Sequence, residues 1–263
     1  ITLKFLGLAY GSVAAADSAS YGFNQLAIGG ANVLGIDQAL VAKIFSVTAI
    51  IQGGFFVLAP MIQAKWYGCD KANPSTVQNI LEFIGGAIVA TGIAPYCMLF
   101  HGTDYVLAVA ITCTFWSFFF VRSFLNGTYK KAGMPIEKFV LLFVPAFIAL
   151  YAGFTAQEWA LSYFKTLEVL YALIVLQEIF YPRSAGKFWS KVEVKDDEKS
   201  VHMFLFRTHG FFSLEYRIQA YCLACDVEIP KAMAYGAFAG LAHFLSSLQD
   251  FVPHTFTPFG LSF

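Results

Sequence analysis

A helical bundle embedded in a membrane is the fold this chain predicts, and three observations carry the prediction. The 263 residues are 58% hydrophobic and only 13% charged, about half the charge of an ordinary soluble domain. Apolar runs of about 20 residues recur, each long enough to cross a hydrocarbon layer of roughly 30 Å as a helix. The one stretch that reads as bathed in water, Arg183 to Lys199, holds nine charged residues and lies between two long apolar segments. A formal net charge of zero gives no reason to expect nucleic acid as a partner. Five cysteines, an odd number set mostly in apolar segments, argue against a disulfide framework.

Residues 1–37 read as an N-terminal interfacial segment and loop. Ile1 to Ala16 is apolar with one charge, Lys4, and Asp17 to Asp37 is rich in small residues and helix-breaking glycines. The chain opens on Ile1 rather than Met, which reads as a processed precursor.

A first helical unit of four spans covers 38–156. Span one runs from about Gln38 to Ile62, with the Lys43 stem free to snorkel and Pro60 marking the exit. Ser75-Thr76-Val77-Gln78 has the S-x-x-Q form of a capping box and opens span two, which reaches Phe100. The short link from His101 to Asp104 makes spans two and three antiparallel neighbours. Span three, Tyr105 to Leu125, stops at Asn126-Gly127. Pro135 suits the first turn of span four, which ends near Ala156.

A second unit of three spans covers 157–250 and contains the charged loop 183–199. Span five is Ala160 to Tyr181, span six Ser200 to Cys225 and span seven Pro230 to Gln249; a tail, 251–263, holds Pro253 and Pro258. With about seven spans, the loops after spans one, three and five collect eleven of the seventeen Lys and Arg residues, from Lys65 to Lys199. Loop cations are retained on the side of insertion. The charged loop is therefore expected on the cytoplasmic, stromal or matrix side.

The two units share landmarks, as expected of a degenerate tandem repeat of a four-helix unit. Pro60 with Lys65-Trp66 matches Pro182 with Lys187-Phe188-Trp189, an offset of 122 residues. Gly85 with Tyr96-Cys97 matches Gly210 with Tyr221-Cys222, an offset of 125, so the second unit has three extra loop residues and lacks a fourth helix. The exit proline, the KWYG run after it and the glycine-bearing second span LEFIGGAIVATG resemble the small four-helix membrane proteins of the DoxX-like kind. The resemblance covers residues 40 to 156. It implies a helical bundle, and it brings no shared catalytic motif to carry over.

Chemistry concentrates in span six, VHMFLFRTHGFFSLEYRIQAYCLAC, because ionisable groups inside a membrane are costly and point to function. His202 and His209, seven apart, share a helix face, and Arg207, Glu215, Arg217 and Gln219 all need partners. One reading is a polar face that binds a cofactor or substrate, with His209 as a metal or chlorophyll-magnesium ligand. The other is a helix packed against neighbours with its charges paired. Gln52, Glu82, Gln177, Glu178 and His243 are further buried polar candidates, and of these Gln52, Glu82, Gln177 and His243 join His202 and His209 as candidate cofactor ligands. Cys222-Leu223-Ala224-Cys225 has the CxxC form but no second pair to relay electrons, so packing is the better reading. Retinal is disfavoured because the last span has only Lys231, at its start. No Walker loop, HExxH or Ser-His-Asp spacing is present.

Aromatic residues make up 17% of the chain, a surface suited to flat apolar partners such as chlorophyll, carotenoid and lipid. Together with the lack of a catalytic signature, this leads to an expected role: a non-catalytic accessory subunit of a large energy-transducing complex. An algal photosystem in the plastid thylakoid is the leading case, with other membrane subunits as partners and the charged loop stromal. The alternatives are a respiratory accessory subunit, or a transporter or lipophile-processing enzyme using the polar face of span six. The last reading requires an enclosed cavity beside His209 and Arg217.

Overall fold

The computed structural model describes residues 37–66, 68–70, 72–189 and 199–251. The predicted interfacial segment, most of the charged loop and the tail therefore lie outside the described residues. The described residues form helices and no strand: α1 (Gln38–Leu58), α2 (Pro60–Trp66), α3 (Pro74–His101), α4 (Tyr105–Leu125), α5 (Thr128–Lys131), α6 (Ile136–Phe154), α7 (Ala160–Phe180), α8 (Pro182–Trp189), α9 (Lys199–Ala224) and α10 (Ile229–Phe251). Five of them, α1, α3, α4, α6 and α7, are long and apolar enough to cross a membrane.

Local chemistry sets the helix ends. The Asp37 carboxylate accepts from Ala39 N at 2.9 Å and that of Asp104 from Leu107 N at 3.0 Å, each capping the helix that follows. The S-x-x-Q box expected at Ser75 does not form. Asn73 Oδ1 accepts from Ser75 N and Thr76 N instead, at 3.1 and 3.2 Å, and Gln78 reaches forward to Glu82. Pro74 occupies the first turn, where its missing N–H costs nothing, so the cap moves to the residue before it. Gly127 turns the chain after α4 with φ of 64°, a region that suits glycine.

Both exit prolines break their helix in the same way. Ala59, before Pro60, has φ −133° and ψ 52°, and its N–H reaches Phe55 O. Tyr181, before Pro182, has φ −132° and ψ 56°, and its N–H reaches Gln177 O. The ring of a proline disfavours helical backbone in the residue ahead of it, so the chain steps out and restarts as a short helix.

Two long helices, α3 and α9, form the centre. Helix α3 packs on α1, α4 and α9, and α9 packs on α3, α7, α8 and α10. Glycines set the approach. A Cβ on Gly85 would lie 2.5 Å from Phe56 Cβ and 2.7 Å from Gly53 O; one on Gly210 would lie 2.8 Å from Ile179 Cγ1 and 3.1 Å from both Glu178 Cβ and Val175 O. On α10, Gly236 lies against the Glu215 carbonyl, where a Cβ would sit 2.8 Å away.

Two prolines lie inside helices, and each leaves a carbonyl one turn back without its amide partner. Side chains from other helices answer both. Gln219 Nε2 of α9 donates to Thr91 O, the carbonyl opposite Pro95, at 2.7 Å, and Tyr171 Oη of α7 donates to Leu141 O, opposite Pro145, at 3.3 Å. In lipid no water would do this, so neighbouring helices must.

The glycine at position 85 yields a first prediction. Gly85→Ala forces α1 away from α3 and destabilises the protein by about 1–3 kcal/mol through overpacking, whereas Gly54→Ala, with nothing within 4 Å of its new Cβ, leaves thermal unfolding in detergent unchanged.

Candidate functional site

The site grows from two helix faces. On α9, His209, Ser213 and Arg217 recur every four residues and share one face. On α7, Glu168, Tyr171, Val175 and Glu178 recur at intervals of three and four and share another. The two helices run antiparallel, and Gly210 lets them close until the faces interlock.

Two acid–base contacts result. Glu178 Oε2 lies 2.5 Å from His209 Nδ1, and His209 Nε2 lies 3.1 Å from Ser213 Oγ. The carboxylate holds the ring proton on Nδ1, which leaves Nε2 to accept the Ser213 hydroxyl proton. Further along, Arg217 Nη1 donates to Glu168 Oε2 at 2.8 Å, and the guanidinium carbon sits 4.6 Å from the ring centres of both Tyr171 and Tyr216. Planar, weakly hydrated guanidinium suits such stacking. Glu168 and Glu178 are almost wholly buried, at 3% and 2% exposure.

These side chains form one wall of a cavity of about 110 Å³. The rings of Phe83, Trp116, Phe120, Phe164 and Phe206 form much of the rest. That volume holds several waters or the end of an apolar chain, since a water needs about 10–15 Å³ on this measure. Four polar atoms on its lining residues are buried without a hydrogen-bond partner: Thr76 Oγ1, Asn79 Oδ1, Trp116 Nε1 and Arg217 Nε. Thr76, Asn79 and Trp116 are each at least nine-tenths buried. Buried polar groups are nearly always paired, so four such atoms around one cavity mark it as a place for polar chemistry.

Of the candidate cofactor ligands read from sequence, His209 alone lies at this cavity, where it is joined by Glu178 and Arg217, which the sequence marked only as buried polar groups in need of partners. Both its ring nitrogens are engaged, so a metal would have to displace Glu178 or Ser213. Glu82 is buried on α3, where it accepts from Gln78 Nε2 at 2.9 Å and faces Arg122 at 3.8 Å. Gln177 donates to Ser184 Oγ at 3.2 Å on the far side of α7, Gln52 is exposed on α1, and His202 is buried two turns before His209. The side chain of His243 is outside the described residues. Glu168, Tyr171 and Ser213 escaped the sequence reading. The four-residue recurrence from His209 to Arg217 was the available signal. No group of three or more His, Cys, Asp or Glu residues suited to a metal ion occurs among the described residues.

The buried ion pair predicts a double-mutant outcome. Arg217→Met leaves the buried Glu168 carboxyl without its partner and costs about 3–5 kcal/mol, and combining it with Glu168→Leu restores most of that stability; thermal unfolding of the two single variants and the double variant in one detergent checks it. Compared with protein-family models, curated proteins and solved structures, the chain finds no match, so fold and site stand on the geometry above.

Proposed function

We propose that this chain is a seven-span tandem-repeat membrane protein that takes the polar end of a lipophilic molecule into the cavity between α3, α4, α6, α7 and α9. The observation that carries the reading is the cavity itself: ring-lined on one side, with Glu178–His209–Ser213 and Glu168–Arg217 on the other. A cavity beside His209 and Arg217 supports the transporter or lipophile-processing reading, because a tightly packed scaffold helix would leave none there.

The repeat reading is supported by matched contacts. Gly85 meets Gly53, Phe56 and Val57, and Gly210 meets Val175, Glu178 and Ile179. Each partner differs by 122 residues and the glycines by 125. The same offsets carry the approach of Gly92 to Ser46 onto the Arg217–Glu168 pair. The comparison acts as an internal control. Where the second pair of helices has Glu178, His209, Ser213, Arg217, Glu168 and Tyr171, the first has Phe56, Ile84, Ile88, Gly92, Ser46 and Ala49. The first pair packs closely without one ionisable group at those positions, so packing alone does not demand the polar cluster of the second.

Seven spans are favoured because α9, too polar for a hydropathy criterion, lies inside the bundle, where its charges face protein rather than lipid. The basic residues Lys65, Arg122, Lys130, Lys131, Arg183 and Lys187 then share one end, on the side of insertion.

The accessory-subunit reading keeps one observation in its favour. Ile44, Phe45, Ile51, Phe55 and Leu58 of α1 are exposed around the exposed Gln52, a face suited to lipid, a chlorophyll or carotenoid ring, or a neighbouring subunit in a thylakoid complex. Pigment bands that survive gentle purification would support it, and a colourless preparation would remove it.

Two measurements test the main proposal. Protein purified in mild detergent carries a lipophile by native mass spectrometry at about one per chain, and Ala146→Phe, which fills the cavity, removes it; equal occupancy in both overturns the reading. For topology, Cys225 is exposed, whereas Cys69, at the opposite end between α2 and α3, is buried. Burial and the nearby Asp70 carboxylate push the Cys69 thiol up to about 12, so it stays protonated and inert at neutral pH. In sealed vesicles an impermeant maleimide labels Cys225 from the face opposite to the one where trypsin cuts at exposed Lys187. Reaction of both from one face would show that α9 does not span.

A further inference from the structure

We propose that Ser213 is a nucleophile activated by His209, and that the cavity accepts an ester of a lipophilic acid or alcohol. The assignment rests on the cavity receiving a lipophile, and it goes further by naming the reacting atom.

Ser213 differs from five other helix hydroxyls of the chain. Those of Ser46, Thr48, Thr112, Thr114 and Thr166 each donate to the carbonyl four residues back, the default for a hydroxyl inside a helix. Ser213 Oγ instead lies 3.1 Å from His209 Nε2, while Nδ1 of that ring is held by Glu178. Serine, imidazole and carboxylate thus stand in series with the tautomer a general base needs: Nδ1 protonated toward the acid, Nε2 free to take the hydroxyl proton. The constellation is defined by geometry and roles rather than chain order, and here it spans two helices.

A reacting carbonyl also needs donors where negative charge develops. Arg217 lies one turn beyond Ser213 on the same face, about 5–6 Å between Cβ atoms, and its Nε has no partner. Trp116 Nε1 is a second unpartnered donor at the same cavity. Glu168 and the two tyrosine rings hold the Arg217 guanidinium in place, which keeps its free N–H directed rather than mobile.

The chemistry balances with water as the second reactant. Ser213 Oγ bonds to the ester carbonyl carbon as its proton passes to His209 Nε2. The carbon–oxygen bond to the alcohol breaks, and the alcohol leaves with the proton from Nε2. Water then adds to the acyl carbon, gives a proton to Nε2, and the Ser213 oxygen is released and regains it. The products are a carboxylic acid and an alcohol, with no change in oxidation state. Glu178 is a positioning residue, acting through the ring it holds.

The test uses the full chain in mild detergent and a long-alkyl fluorophosphonate, which phosphonylates activated serines. Peptide mass spectrometry is expected to place the adduct on Ser213. Labelling vanishes in Ser213→Ala, falls by about 100-fold or more in His209→Gln, and falls in Glu178→Gln while returning in part in Glu178→Asp, a rescue that a purely structural carboxylate would not show. Native mass spectrometry for the bound lipophile is run on every variant. An unlabelled wild type that still carries lipophile overturns the nucleophile and leaves the binding site standing. Labelling of equal extent in Ser213→Ala overturns it as well, and loss of lipophile from the wild type tells against the binding reading instead.

Discussion

Gln219 reaches across from α9 to the Thr91 carbonyl that Pro95 leaves open on α3, and this single hydrogen bond of 2.7 Å expresses the constraint on which the molecule depends. Inside a bilayer a backbone or charged group has no water to turn to, so each one displaced from its helix must be met by another helix. The demand is heaviest at α3 and α9, the two central helices. Tyr105 Oη adds a second link between the halves by donating to Ala220 O at 2.8 Å. Once these contacts hold α3 against α9, the outer helices are placed by glycine contacts on one side or the other.

The same constraint explains where charge is tolerated. Glu168, Glu178, His209 and Arg217 all lie between α7 and α9 and around one cavity, and none of them faces the lipid side. Their pairing contributes little net stability compared with apolar side chains of similar size, and the α1–α3 pair shows such side chains in the matching positions. The cluster carries a desolvation cost that the matching apolar positions of the α1–α3 pair avoid.

Pro145 and the residues around it give the cavity its outer wall. The proline frees Leu141 O, which Tyr171 caps, and Tyr163 Oη donates to Pro145 O at 3.1 Å. Helices α6 and α7 are thus joined through tyrosine hydroxyls. Tyr171 serves twice, since its ring also stacks on Arg217. The orientation of the guanidinium is therefore linked to the join between two outer helices.

The helices themselves were legible in the sequence because proline, glycine and capping side chains act within a turn of where they stand. Pro60, Pro135 and Pro182, the short link from His101 to Asp104 and Asn126-Gly127 mark boundaries within a residue or two of those observed. The cap of α3 was misread because Asn73, just before Pro74, competes with Ser75 for the same amides. His209 was legible as a polar group that a membrane would not tolerate without cause. What it does was not, because Glu178 is 31 residues away in the chain and Arg217 meets Glu168 across 49. Ser213 looks like any helix serine until the neighbouring ring is in place. The sequence by itself determined the class, the helix boundaries and the uneven distribution of charge, all of which follow from local backbone preference and hydropathy. Only the tertiary structure decided which charges pair and that a cavity lies between them, since both depend on how closely glycine lets one helix approach another.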